Sequence, residues 1–270
     1  MSKPEAHTIA RPAADALAQH VAVGWGGVAW RRMCHQFVLK NLGVALFMTA
    51  FFVAYFHVLR HPAYAVSLMP LTALDDWIAF EPWALPVYAS LWVYVAVPPI
   101  MQANVFDEAR YGVWIGALCV TGLLIFYFWP SAVPRFDSSQ FAGFAVLQGL
   151  DTAGNACPSL HVATAAFSAY WIDRLLRDLQ AGRLMRTLNW AWLLLIAWST
   201  LATKQHVVWD VLAGFLMGAI FAALSVRFAL RRGLWSGLWS KAHRPMIVSS
   251  HQGVEVVPGT TSMSTREMDA

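Results

Sequence analysis

Charged positions in this chain are sparse, and the gaps between them are long. Nineteen residues separate Lys40 from Arg60, 25 separate Glu81 from Asp107, and 24 separate Arg110 from Arg135. The later gaps are 21 residues from Asp151 to Asp173, 17 from Arg186 to Lys204, and 16 from Asp210 to Arg227. None contains Asp, Glu, Lys or Arg. A helix needs about 20 apolar residues to cross the hydrocarbon core. The spacing predicts six membrane-spanning helices at about 40–59, 84–104, 111–130, 158–176, 187–203 and 206–227, the last begun by His206. The expected architecture is all-α: a polytopic six-helix bundle filling residues 37–230. Residues 1–36 lack the apolar run of a signal peptide and are expected at the interface or in the cytoplasm. Within them, Val21–Trp30 is rich in Gly and Trp. Residues 231–270 become polar and are expected to form a largely flexible tail.

Composition agrees with the spans. Of 270 residues 58% are hydrophobic and 13% charged, and the mean hydropathy is +0.50. An average soluble domain is roughly 25% charged. This chain has too few charges to cover a soluble globule of its size. That excludes a disordered chain, a soluble Rossmann-type enzyme and a nucleic-acid-binding module. No internal repeat is visible. Cys34, Cys119 and Cys157 have neither zinc-site spacing nor the even number of a disulfide framework.

The net charge of +4 records topology instead of a nucleic-acid partner. With the N-terminus inside, 16 of the 19 basic residues fall on the cytoplasmic side. Only Arg60, Arg135 and Lys204 fall outside. The positive-inside rule therefore predicts that both termini are cytoplasmic. Trp77, Trp83 and Trp129, and at the other side Trp190 and Trp192, suit interfacial belts.

Candidate chemistry gathers at the outer ends of the spans. His206 and Asp210 are four apart and share a helix face. A carboxylate there holds the Nδ1 proton and leaves Nε2 free as nucleophile or base. His161 stands at the start of the fourth span, just after Ser159. Arg135 and Lys204 are on the same side. Two imidazoles, one carboxylate, two cations and a helix-start serine fit phosphate chemistry, because cations and helix-start amides neutralise phosphoryl oxygens. One histidine attacks phosphorus and the other protonates the departing oxygen. Each feature alone has a plainer reading: interfacial histidines snorkel, and lone cations anchor helix ends. Their coincidence on the one face that has only three basic residues favours a site. Thr164, Met217 and the Phe and Trp stripes read as core packing.

The segments Cys157-Pro158-Ser159-Leu160-His161-Val162-Ala163 and Lys204-Gln205-His206-Val207-Val208-Trp209-Asp210-Val211-Leu212-Ala213-Gly214 resemble the type 2 phosphatidic acid phosphatase superfamily. They are nearest the branch of inositol phosphorylceramide synthases, where PSLH replaces the more usual PSGH. The six-helix count and the Pro-rich approach to Arg135 agree, as does Asp75-Asp76-Trp77-Ile78 followed by Glu81-Pro82-Trp83. The resemblance spans roughly residues 70–220. It implies that His206 forms a phosphohistidine, that Asp210 orients it, and that His161 is the acid for the leaving group. It also implies that Ser159, Arg135 and Lys204 hold the phosphoryl oxygens. Phe128, Phe136 and Thr200 stand where the family pattern has Lys, Pro and Arg. The site is thus poorer in cations than the family pattern.

The function expected is that of an integral-membrane lipid phosphatase acting on a phosphorylated lipid at the extracytoplasmic face, with no metal and no cofactor. A headgroup phosphotransferase of the inositol phosphorylceramide synthase type is the alternative. A non-catalytic phospholipid-binding protein is another, but pure binding needs no His–Asp pair beside a second histidine. A transmembrane haem protein would need histidines facing each other across helices, a pattern the two outer histidines do not offer.

Overall fold

The structure, a computed structural model, describes residues 24–103, 105–134, 136, 141 and 154–242, with side chains through Arg227. The chain divides into two units, Met1–Ser225 and Val226–Ala270. The second is described only as helical backbone as far as Ala242. The packing and chemistry described below are those of the first.

The described residues begin with two helices, α1 (Trp25–Cys34) and α2 (Phe37–Arg60), followed by the two-residue strand β1 (Ser67–Leu68) and the short α3 (Ala73–Trp77). A single 3₁₀ turn (Pro82–Ala84) leads into α4 (Leu85–Ala89) and α5 (Leu91–Ile100). Next come α6 (Val105–Phe128), β2 (Ser131–Ala132), α7 (Leu160–Asp178), α8 (Arg183–Ala202) and α9 (Val208–Ala242). Every predicted span falls on one of these helices or, for 84–104, on the run from Pro82 to Ile100.

Among the described residues, four stretches are long and apolar enough to cross a membrane: Phe37–Arg60, Pro82–Ile100, Val105–Phe128 and Val208–Arg227. The reason α7 and α8 fall short of that composition is visible in their burial. Helix α7 is enclosed by its neighbours, so Ser168 and Asp173 are satisfied by protein. In α8, Asn189 donates to Ala169 O at 2.9 Å and accepts from Tyr94 Oη at 2.7 Å. A helix that does not face lipid need not be apolar all round. The opposite holds for α2, which is apolar around its whole girth and largely exposed. Val38, Leu42, Leu46 and Val53 on α2, and Val113, Val120 and Leu124 on α6, form outward apolar faces suited to hydrocarbon. Trp77, Trp83, Trp129, Trp190 and Trp192 are all exposed.

Successive long helices run in alternate directions, so the bundle has two ends. At one, the start of α2, the ends of α1 and α5 and the turn beyond α5 meet on Lys40. Its buried ammonium donates to Arg32 O, Ile100 O and Gln102 O at 2.8, 3.2 and 2.7 Å. Close by, where α7 ends and α8 begins, buried Asp173 accepts from Arg177 and Arg186 at 2.6 and 2.7 Å. At the other end β1 pairs in parallel with β2, Ser67 opposite Ser131, and Ser131 also bridges Asn155. Between the ends, a core of Leu118, Phe126, Phe167 and Trp171 joins α6 to α7, and Met217 packs into it from α9.

Helix α9 approaches α7 closely. A Cβ placed at Gly214 would collide with the carbonyl oxygen of Ser159, and one at Gly218 with that of Ala163. The small-xxx-small spacing lets the two backbones touch.

Candidate active site

The turn from α8 into α9 is folded by its own backbone. Gln205 and His206 both donate their N–H to Thr200 O at 3.1 Å, and Lys204 takes the left-handed conformation with φ 56°. Val207 N–H donates to Asp210 Oδ2 at 3.0 Å, so the carboxylate caps the helix that carries it. Asp210 is fully buried, and its Oδ2 lies 3.5 Å from His206 Nδ1. That is within ion-pair range but longer than a hydrogen bond. The i,i+4 pairing expected from the sequence is therefore present.

The second motif is tied to the first. Ser159 N–H donates to Asp210 O at 3.0 Å. The Ser159 hydroxyl caps α7, accepting from Val162 N–H at 3.2 Å. Just upstream, Cys157 N–H donates to Ser131 Oγ at 2.8 Å, and the Cys157–Pro158 peptide is cis. Burial, and after it the charge of Asp210, pushes the Cys157 thiol up to about 11, so it stays protonated beside that carboxylate.

His161 sits at the start of α7. Its ring stacks on Tyr88, with centroids 4.0 Å apart and planes 18° from parallel. Its Nε2 lies 3.0 Å from Tyr88 O. A carbonyl only accepts, so Nε2 carries the proton and donates it there.

His161 and His206 line one cavity of about 410 Å³. Gln205, Asn155, Tyr55, Tyr88 and Thr164 add polar atoms, and Asn155 Nδ2 donates to Tyr55 Oη. The remaining wall is apolar, with Phe51, Phe52, Phe56 and Trp92 prominent. Among the described residues lining it there is no Lys or Arg. Gln205 Oε1 and His206 Nδ1 are buried without a hydrogen-bond partner, and Asp210 Oδ1 has no N–H or O–H partner among the described residues. No group of three or more His, Cys, Asp or Glu side chains gathers to hold a metal among the described residues.

Of the expected site residues, the structure brings His161, His206 and Asp210 together. Ser159 is adjacent, but its hydroxyl is engaged as a helix cap. Lys204 has a different task from the expected one. Its Nζ donates to Asp75 O and Ile78 O at 2.8 and 2.5 Å, and it is not among the residues lining the cavity. The left-handed turn puts the side chain against the carbonyl end of α3. Arg135 lies outside the described residues.

Asp75 enters the sequence reading only as part of the family resemblance, yet it is central here. Its Oδ2 accepts from Thr72 N–H and Oγ1 at 2.8 Å, and its Oδ1 accepts from Val208 N–H at 2.9 Å. With Lys204 it clasps α3 to the first turn of α9. The Thr72-x-x-Asp75 spacing of a capping box is the sequence signal that could have found it. Thr164, read as packing, lies on the cavity wall. Asn155 and Gln205 lie within or next to the two histidine motifs. Tyr55 and Tyr88 sit in apolar stripes with no local signal.

Residues 109–234 match the family model of the PAP2 superfamily. The match includes both histidine segments and the greater part of α6. No curated protein and no solved structure matches the chain.

Proposed function

We propose that this protein is an integral-membrane lipid phosphatase that works through a phosphohistidine. The observation that carries the reading is the arrangement of one cavity, in which His161 and His206, the latter backed by buried Asp210, stand at the polar end of an otherwise apolar wall. The superfamily match over both histidine segments supports it.

The reaction runs in two steps. The His206 Nε2 lone pair attacks phosphorus, and the P–O bond to the lipid oxygen breaks. His161, acting as the imidazolium with a proton on each ring nitrogen, turns from Tyr88 O and gives its Nε2 proton to that oxygen, and the lipid alcohol leaves. Water then attacks the phosphohistidine, its proton passes to His161, and the P–N bond breaks to free phosphate. Asp210 stabilises the imidazolium character that His206 gains. Helices α7 and α9 both begin at this end, so two positive dipole ends face the phosphoryl oxygens. Arg135 remains the proposed cation of the site.

The same reading puts the site at the extracytoplasmic face of six spans, with both termini inside. Helices α7 and α8 have 19 and 20 residues, enough at about 1.5 Å each to cross a core of about 30 Å. Lys40, Arg110, Arg174, Arg177, Arg183 and Arg186 lie at helix ends opposite the histidines, as the positive-inside rule requires.

The test is turnover of a panel of phospholipids and lipid phosphates by the purified protein, with and without alcohol acceptors, read by mass spectrometry. Free phosphate and the lipid alcohol are expected. A headgroup moved onto an added alcohol would make the protein a transferase of the inositol phosphorylceramide synthase kind. No turnover of any lipid would leave a lipid-binding protein and defeat the proposal.

A further inference from the structure

The histidine cavity has a neighbour with which it shares walls. A second cavity of about 550 Å³ lies between α2, α5 and α6. The two share Phe47, Met48, Trp92, Val95 and Ile115 as walls. On α2 alone the lining runs from Phe56 to Leu39, roughly 26 Å at about 1.5 Å per residue. One leaflet of a hydrocarbon core about 30 Å thick accounts for only about 15 Å of that. The slot therefore passes the bilayer midplane.

Its polar groups are at the ends. The histidines are at one. At the other is Glu108, whose carboxylate faces Gly43. Between them the wall is almost all carbon. Gly112 leaves the wall open, because a Cβ there would meet nothing within 4 Å.

We infer that this slot binds the hydrocarbon chain of the substrate. It fits a single linear chain longer than one leaflet, with the phosphate at His206 and the chain end near Gly112. The inference rests on the phosphatase reading and narrows its substrate class to long single-chain lipid phosphates. Ordinary bilayer lipid also fills gaps between helices, but it has no reason to enter from the histidine end. The five shared wall residues set the slot directly against the cavity that the reacting groups line.

Two measurements test it. The first is the ratio of kcat/KM for a long-chain alkyl phosphate to that for a short-chain one, in Gly112→Leu and in the unaltered protein. Leucine favours helix over glycine, and its side chain enters the open slot. Each methylene kept out costs roughly fourfold in affinity, so the ratio is expected to drop about tenfold or more. An unchanged ratio overturns the inference. The second uses a long-chain alkyl phosphate with a photoactivatable group at its chain end, in a His206→Ala background. Labelling is expected on the Val105–Gly112 stretch of α6 and the Leu39–Val44 stretch of α2. Labels scattered over the outward faces of the helices overturn the inference. Labelling needs no turnover, so it tests the slot separately from the hydrolysis it serves.

Discussion

The two ends of the bundle both bury charge, and they treat it in opposite ways. At the Lys40 end each buried charge is saturated. The ammonium has three carbonyls, and Asp173 has two guanidinium partners. At the histidine end His206 Nδ1, Gln205 Oε1 and Asp210 Oδ1 lack such partners among the described residues. One further orphan, Trp171 Nε1, sits in the core between the ends. Saturated buried polar groups rigidify a fold, whereas an unsatisfied cluster lining a cavity is an arrangement kept for chemistry. The first end holds helices together; the second is where the proposed reacting groups stand.

That contrast can be broken by mutation. His206→Ala should have the largest effect, lowering kcat by about four orders of magnitude or more, since no other side chain can carry the phosphoryl group. Its thermal unfolding should match that of the unaltered protein. Measurable turnover near the original rate would remove the phosphohistidine. Asp210→Asn comes next, with an expected loss of roughly a hundredfold to ten-thousandfold in kcat. The amide oxygen can still accept from Val207 N–H, so the helix start should survive, as circular dichroism can check.

Lys204→Met sharpens the comparison, because the sequence and the structure assign that ammonium differently. As a clasp on Asp75 O and Ile78 O, its loss should lower kcat by about tenfold through a loosened turn, given about 1 kcal/mol for each lost bond. Inhibition by vanadate should stay unchanged. A large rise in the vanadate inhibition constant would return Lys204 to the phosphoryl group. Asp173→Ala should have the smallest effect on activity. Stability should fall by about 2 kcal/mol, since the guanidiniums it leaves, 52% and 37% exposed, can turn to water. Turnover per folded molecule should hold; a large loss of kcat would show that the two ends are not independent.

The sequence made the helices legible because lipid forbids charge, so gaps between charges mark spans. It made the His206–Asp210 pair legible because four residues make about one helical turn. What it hid depends on contacts between distant segments. The span predicted at 84–104 is broken into a 3₁₀ turn and two short helices, with Pro82 and Pro86 at the joints. Nothing in the spacing of charges shows that. Helices α7 and α8 read as spans by charge spacing, though their polar side chains make sense only once neighbours enclose them. Lys204 reads as a free outer cation because a left-handed backbone at a non-glycine residue leaves no local pattern. Tyr88, which holds His161 by ring and carbonyl, is 73 positions away from it in the chain. Such a pairing exists only in three dimensions.

Gly214 has a consequence for tolerance. His206, the proposed nucleophile, lies two residues before α9, His161, the proposed acid, lies in the first turn of α7, and beside Ser159 the gap between the two helices is set by bare backbone against bare backbone. Away from this contact and the one at Gly218, a poor fit can be absorbed by a side chain choosing another rotamer. Here no side chain exists to turn. The gauge between the two histidine segments is therefore hard to adjust, and one methyl group is enough to change it.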